Sequence, residues 1–416
     1  MGRTYDVHPP IAVIPTEVEG PAFPSATLLL MPLVRTLAAA PFAFTLAALS
    51  QAPATFNSHQ PNPDRSLTFR YQDPTATAVV LNLDTAAKPV PMLKGADGLW
   101  TYTTPPLPPE IYSYRFDVDS RPQFDPNNLT GITPNLVYRG DQVEVPGDTP
   151  QLWDLQPVPH GTLHEHRYTT KAVVGLPANQ SRFLVYTPPG YDPRARIAYP
   201  VLYLLHGWSN TVDTWTSTLQ ADLILDNLLA SGKIKPMVVV MPLAYGDMSF
   251  VNGPIGEIWK QKPLVEHNTE LFSQALLTEI LPQAESAYTI RRDRQGRALA
   301  GLSMGGLESL QIGLANTDKF AFLGGFSAAV HLIDPPTQFS TLTPKSTDLR
   351  LLWIACGVDD GLLKANQTLA AYLKSQGLPV TEVETPGAHV AFVWRDNLIH
   401  FAPLLFQTIP PSSQSK

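Results

Sequence analysis

A doubly wound, mostly parallel α/β sheet, preceded by a small all-β sandwich, is the fold class that this 416-residue sequence predicts. Three observations predict it. From Arg182 onward, continuous apolar runs alternate with helical stretches, the pattern of a parallel sheet covered on both faces. Between about 57 and 146, short alternating runs are separated by turns, at the spacing of an antiparallel sandwich. Residues 297–306, Arg-Ala-Leu-Ala-Gly-Leu-Ser-Met-Gly-Gly, carry an apolar strand into a G-x-S-x-G turn with a helix-like segment directly behind it.

Composition sets bounds on the chain. Hydrophobic residues make up 44% and charged residues 16%, so a sizeable core is expected. The net charge of −7, with no basic block, argues against nucleic acid as a partner. The 42 prolines concentrate before residue 200 and fit a loop-rich β region better than helices. The single cysteine, Cys356, excludes an intrachain disulfide and a cysteine-based metal site. It lies in the apolar run Leu351-Leu352-Trp353-Ile354-Ala355-Cys356 and reads as a buried thiol.

The first 56 residues read as an extension. From Met31 the chain runs through a short basic region, an apolar stretch from Thr36 to Leu49, and Ser50-Gln51-Ala52. That is the grammar of a signal peptide over 31–52, so the expected destination is secreted or periplasmic. The apolar stretch is too short and Pro-interrupted for a membrane span, and nothing later resembles one.

The β region, 57–146, opens on a linker-like stretch over 57–65. Its strand candidates are Leu67–Tyr71, Ala78–Leu83, Leu99–Tyr102 and Tyr112–Val118. Trp100, Tyr112 and Tyr114 occupy alternating strand positions and read mainly as core. Residues 147–170 read as a connector. His164-Glu165-His166 within it has no third ligand indicated, so no metal is expected.

The α/β part is expected over 171–410, with a tail at 411–416. Its strand candidates are 182–186, 201–205, 237–241, 298–300, 322–326, 351–355 and 380–383. Helices are expected over 219–231, 269–287, 306–316 and 363–376. In such sheets the reactive groups gather at the carboxyl ends of the strands.

Gly301-Leu302-Ser303-Met304-Gly305 has the form of a nucleophile elbow, which lifts a serine hydroxyl clear of its surroundings. A serine hydroxyl needs a base to take its proton and a third group to orient that base. In this architecture both follow the serine, the acid first. Only His331, His389 and His400 come after Ser303. His331 precedes any acid strand, and His400 lies in an apolar helix-like stretch. His389, in the loop Pro386-Gly387-Ala388-His389 after the strand at 380–383, is the candidate base. The acid belongs in Gly357-Val358-Asp359-Asp360-Gly361, where spacing leaves Asp359 and Asp360 both open. Oxyanion donors are expected from the backbone N–H of Met304 and from that of Trp208, after Leu204-Leu205-His206-Gly207. Trp215 and Trp259 are candidates for lining a flat acyl or sugar pocket, with Trp394 behind them.

Two resemblances go beyond these readings. Gly98-Leu99-Trp100-Thr101, the stretch from Leu107 to Phe116 and Asp125-Pro126-Asn127 resemble an early-set immunoglobulin-like domain. The usual Pro-Gly ahead of its Tyr-x-Tyr strand is replaced here by Pro109-Glu110. The second half resembles the esterase D-like α/β-hydrolases, in particular the feruloyl and acetylxylan esterase group. Val185–Tyr191, Tyr203–Gly207, Leu225–Leu228, Lys235–Met241, Ala300–Gly306 and Pro386–His389 carry that likeness. It implies an α/β-hydrolase fold with Ser303 as nucleophile, Asp360 as acid and His389 as base. It also implies hydrolysis of acyl esters on polysaccharide, with no metal or organic cofactor. Two departures stand out: Gly387-Ala388-His389 where the group often has Gly-Gly-His, and Trp208-Ser209-Asn210 where it often has a glycine-rich loop. Acyl transfer or siderophore-ester cleavage on the same scaffold is the alternative, and an inert glycan-binding protein the third reading.

Overall fold

The computed structural model describes residues 56–86, 88–128, 131–137 and 140–407. The expected signal peptide at 31–52 and the tail at 411–416 lie outside the described residues.

The β region forms two antiparallel sheets. One orders β1(His59–Pro61), β2(Leu67–Gln72), β6(Leu99–Thr103) and β5(Leu93–Lys94). The other runs from β4(Val90–Pro91) through β3(Val79–Leu83), β7(Glu110–Val118) and β10(Gly140–Val145) to β9(Ile132–Thr133), with β8(Arg121–Gln123) on β7. Alternation along these strands sends Leu67 and Phe69 from one sheet, and Leu81, Tyr114 and Phe116 from the other, into one shared core. Trp100, Tyr112 and Tyr114 are buried there, as their positions suggested.

The large sheet has eight strands. In spatial order they are β11(Thr162–Thr169), β12(Gln180–Thr187), β14(Val238–Pro242), β13(Val201–Leu205), β15(Arg297–Leu302), β16(Phe322–Phe326), β17(Leu351–Gly357) and β18(Val380–Thr385). The first two pairings are antiparallel and the rest parallel. The stretch read as a connector, 147–170, therefore contains the sheet's edge strand. Its sequence, Thr-Leu-His-Glu-His-Arg-Tyr-Thr, is largely exposed, so it lacks the apolar run that marks the inner strands.

The helices are α1(Ala221–Ala230), α2(Ile255–Ile258), α3(Lys262–Ala275), α4(Leu281–Ala287), α5(Ser303–Ala315), α6(Pro335–Gln338), α7(Pro344–Thr347), α8(Leu363–Ser375) and α9(Ala391–Phe401). α3 and α4 are joined by a widened turn, Leu276–Ile280. Pro282 accounts for the widening, because its ring cannot donate and crowds the carbonyl four residues back. Alternate residues of β13 pack on opposite faces. Tyr203 and Leu205 share a core with Leu276, Leu307 and Leu310, whereas Leu202 and Leu204 share one with Leu225, Leu398 and Phe401.

The winding reverses at β13, which has β14 on one side and β15 on the other. Leu205 pairs in register with Gly301, so the segments beginning at His206 and at Leu302 emerge side by side. That switch point is where a crevice opens in a doubly wound sheet.

Candidate functional site

The G-x-S-x-G turn forms as a tight strand-to-helix junction because its glycines leave no room for a side chain. A Cβ on Gly301 would stand 2.6 Å from the Gly305 carbonyl, and one on Gly305 would stand 2.4 Å from the His206 oxygen. Ser303 itself takes a left-handed backbone, with φ of +53°. A non-glycine residue seldom adopts that conformation, and such strain concentrates at functional sites. α5 begins at Ser303, so the N–H groups of its first turn have no partner within the helix.

His389 stands on the loop between β18 and α9. Its Nε2 lies 2.9 Å from Ser303 Oγ, and its Nδ1 lies 2.7 Å from Asp360 Oδ2. The loop is fastened to the aspartate turn by main-chain bonds. Asp359 N–H donates to the Gly387 carbonyl at 2.9 Å, and Val358 N–H to that of Thr385 at 2.9 Å. A Cβ on Gly357 would meet the Gly387 oxygen at 2.4 Å, so the close approach requires glycine there. Of the two aspartates left open by spacing, Asp360 is buried and faces the imidazole, while Asp359 is exposed. Burial pushes the Asp360 carboxyl up. The hydrogen bond and charge of His389 and the Leu362 N–H outweigh it, and the net shift is downward.

The loop after β13 is held by a neutral imidazole. His206 Nδ1 lies 2.8 Å from the Gly207 carbonyl, and Ala244 N–H donates to His206 Nε2 at 3.0 Å. These partners assign the proton to Nδ1. Complete burial outweighs the Gly207 bond and drives the ring's pKa down to about 4. A Cβ on Gly207 would stand 3.2 Å from that of Ser303, which places the start of this loop against the serine. Trp208 is buried, and its indole N–H donates to the Phe250 carbonyl at 2.8 Å. The His-Gly spacing marked this loop, but no sequence signal indicates that His206 is uncharged and structural.

The three tryptophans separate. Trp215 is a correction to the sequence reading. It is 1% exposed, donates to the Leu205 carbonyl at 3.0 Å and packs edge-on against Phe326, so it belongs to the core rather than to a pocket wall. Trp259 is half-buried between Phe250 and His331, with ring centroids 5.4 and 5.8 Å away. Ala329, two residues before His331, donates its N–H to the Ser303 carbonyl at 2.9 Å, which ties this aromatic group to the elbow. Trp394 sets its edge against the His389 ring at 5.0 Å and 82°. The place of His331 beside Trp259 is a contact that spacing along the chain cannot reveal.

Cys356 is buried, and burial with the nearby Asp360 charge pushes its thiol up to about 12, so it is no nucleophile. His164 and His166 share a strand face. His166 stacks on Phe183 at 4.8 Å and His164 bonds Thr187 at 3.2 Å. Among the described residues, no three His, Cys, Asp or Glu side chains are grouped to hold a metal ion, and no helix is long and apolar enough to cross a membrane.

A family model named Esterase matches residues 177–401. The chain is 29% identical over 347 residues to an endo-1,4-beta-xylanase/feruloyl esterase of Xylanibacter ruminicola, covering 82% of this chain and 44% of that protein. It thus spans less than half the length of that relative. Among solved structures, the enterobactin esterase of Shigella flexneri superposes with a TM-score of 0.63 at 19% identity, covering 84% of this chain and 96% of that one. A CE1 ferulic acid esterase from Anaeromyces mucronatus, in complex with ferulic acid, gives 0.51 at 24%, covering 62% and 96%. At these identities the two structures establish the α/β-hydrolase fold alone.

Proposed function

The chain belongs to the Esterase family, and from that premise we propose that it is a serine carboxylic ester hydrolase acting on feruloyl or acetyl esters of polysaccharide. The observation that carries the reading is the hydrogen-bonded line from Asp360 through His389 to Ser303, drawn from the ends of three strands of one sheet. Ser303 Oγ attacks the ester carbonyl as His389 Nε2 takes its proton. Asp360 holds the imidazole by Nδ1 and stabilises the imidazolium. The backbone N–H groups of Met304 and Trp208 receive the oxyanion, each worth about 3 kcal/mol in the transition state. His389 returns the proton to the departing alcohol, and water then releases the acid from Ser303. No step draws on a metal or an organic cofactor.

The polysaccharide part of the reading is supported by the xylanase/feruloyl esterase relative, which is alike over most of this chain. We further assign 57–146 as an early-set immunoglobulin-like domain, and 31–52 as a leader that directs the protein out of the cytoplasm. The deciding experiment compares Ser303→Ala with the parent on methyl ferulate, acetylated xylan and p-nitrophenyl acetate, alongside fluorophosphonate labelling. Loss of turnover and of label together is the expected result. Undiminished hydrolysis by the variant ends the serine mechanism, and activity on the aryl ester alone ends the polysaccharide assignment.

A further inference from the structure

α9 begins two residues after His389 and carries side chains that face the β region. Arg395 is fully buried. Its guanidinium donates to the Glu110 carboxylate on β7 and to the Thr218 carbonyl at 3.0 Å, and it lies 5.4 Å from the Trp153 ring. Glu110 is the residue that departs from the Pro-Gly usual at that place, so the substitution has a partner. One turn earlier, Phe392 sets its ring 5.9 Å from that of Tyr112, edge-on at 76°. The same ring lies against the base loop, since a Cβ built on Gly387 would stand 2.7 Å from its edge. A continuous line of contacts therefore runs from Tyr112 through Phe392 to Gly387, two residues before His389. A second line runs from Glu110 through Arg395 into the helix whose Trp394 abuts the imidazole.

We propose that Phe392 and Arg395 are positioning residues for His389, and that Tyr112 and Glu110 of the β region are the anchors against which they hold it. The proposal rests on the assignment of His389 as the base. The loop Pro386–Val390 contains Gly387, with φ of +118°, and Ala388, so beyond its main-chain bonds to the aspartate turn it has little of its own to hold the imidazole in place. Turnover requires Nε2 within hydrogen-bond reach of Ser303 Oγ, and small displacements there cost rate steeply. Burying Phe392 against Tyr112, and fixing Arg395 by directional bonds, restricts both flanks of the loop. The β region then acts on the reaction through the base, without touching the ester.

The test uses the full chain with Phe392→Ala, Phe392→Met and the double variant Glu110→Leu/Arg395→Met. Active sites are counted by fluorophosphonate labelling, and kcat is expressed per labelled site. The expected result for Phe392→Ala is a fall of about tenfold in kcat with KM little changed. The downfield proton signal of the His389–Asp360 hydrogen bond should broaden or vanish in the NMR spectrum. Phe392→Met, which refills the volume, should restore both. The double variant removes both members of the ion pair together, so neither is left unpaired by loss of the other, and thermal unfolding checks its fold before the second line of contacts is read on it. A kcat per labelled site equal to the parent's in Phe392→Ala and the double variant, with the downfield signal intact, overturns the proposal. If Phe392→Ala does not fold, the double variant alone decides by the same two readouts. An unlabelled parent protein would instead overturn the serine mechanism itself.

Discussion

Gly305 lies so close to His206 that a Cβ on the glycine would stand 2.4 Å from the histidine's carbonyl oxygen. That approach joins the two loops between which an ester carbonyl would sit. Gly305→Ala must therefore push the elbow away from the loop at 206–208. The expected outcome is a loss of about 1–3 kcal/mol in urea unfolding from overpacking. Under the proposed mechanism activity should fall by about a hundredfold, because Ser303 would shift relative to the oxyanion donors. Gly256→Ala is the control, since nothing lies within 4 Å of the added atom. Equal effects of the two substitutions would show that the close approach is unimportant.

Asp359 and Asp360 are neighbours with different surroundings. Asp360→Asn should lower kcat by about four orders of magnitude, since an amide favours the wrong imidazole tautomer. Asp359→Asn should stay within a few-fold of the parent. Both can be read from initial rates on an aryl ester, with thermal unfolding to confirm folding. A reversed ranking would move the orienting role from Asp360 to Asp359.

These pairs also show what the chain discloses by itself. The elbow was legible because the turn's geometry forces glycine at two fixed places around one serine. The inner strands were legible because both their faces are buried, which demands unbroken apolar runs. β11 was not, since an exposed edge strand carries no such run. The first turns of α3 were missed for a similar reason: Lys262-Pro263 and the polar residues behind them carry little apolar period. Trp215 and Trp259 differ only in what folds against them, and no local pattern encodes that. Asp360 was separated from Asp359 by a resemblance, not by spacing, because only the fold reveals which carboxylate turns inward.

Two groups titrate in opposite senses. His206 is held down at about 4, whereas an unfolded histidine titrates near about 6.5. Below that pH the unfolded chain takes the proton first. Acidification from about pH 6.5 to 4 thus removes stability, by about 1.4 kcal/mol per unit. Asp84, half-buried on the β region, is raised by burial from 3.8 to about 6. There the folded chain takes the proton first, so acidification through pH 6 adds stability until the unfolded chain also protonates. The two slopes oppose each other between pH 4 and 6. Asp84→Asn removes one of them, and its urea midpoint should drop more steeply than the parent's across that window. Parallel curves for parent and variant would contradict the raised carboxyl.

Trp215 and Trp259 should respond differently to loss of the indole. Trp215→Ala empties a fully buried site and should cost about 3–5 kcal/mol in stability. Its effect on the ratio of feruloyl to acetyl ester turnover should be small, because the ring faces Phe326 inside the sheet. Trp259 is half-buried beside His331 and is connected to the elbow through Ala329. If it forms the wall against which an aromatic acyl group lies, Trp259→Ala should lower kcat/KM for methyl ferulate by about tenfold, a loss of about 1.4 kcal/mol. Acetyl esters, which have no ring to stack, should lose far less. The comparison needs only two substrates and two variants. A ratio of feruloyl to acetyl turnover that stays constant in Trp259→Ala would remove Trp259 from the acyl pocket, leaving it a structural partner of Phe250.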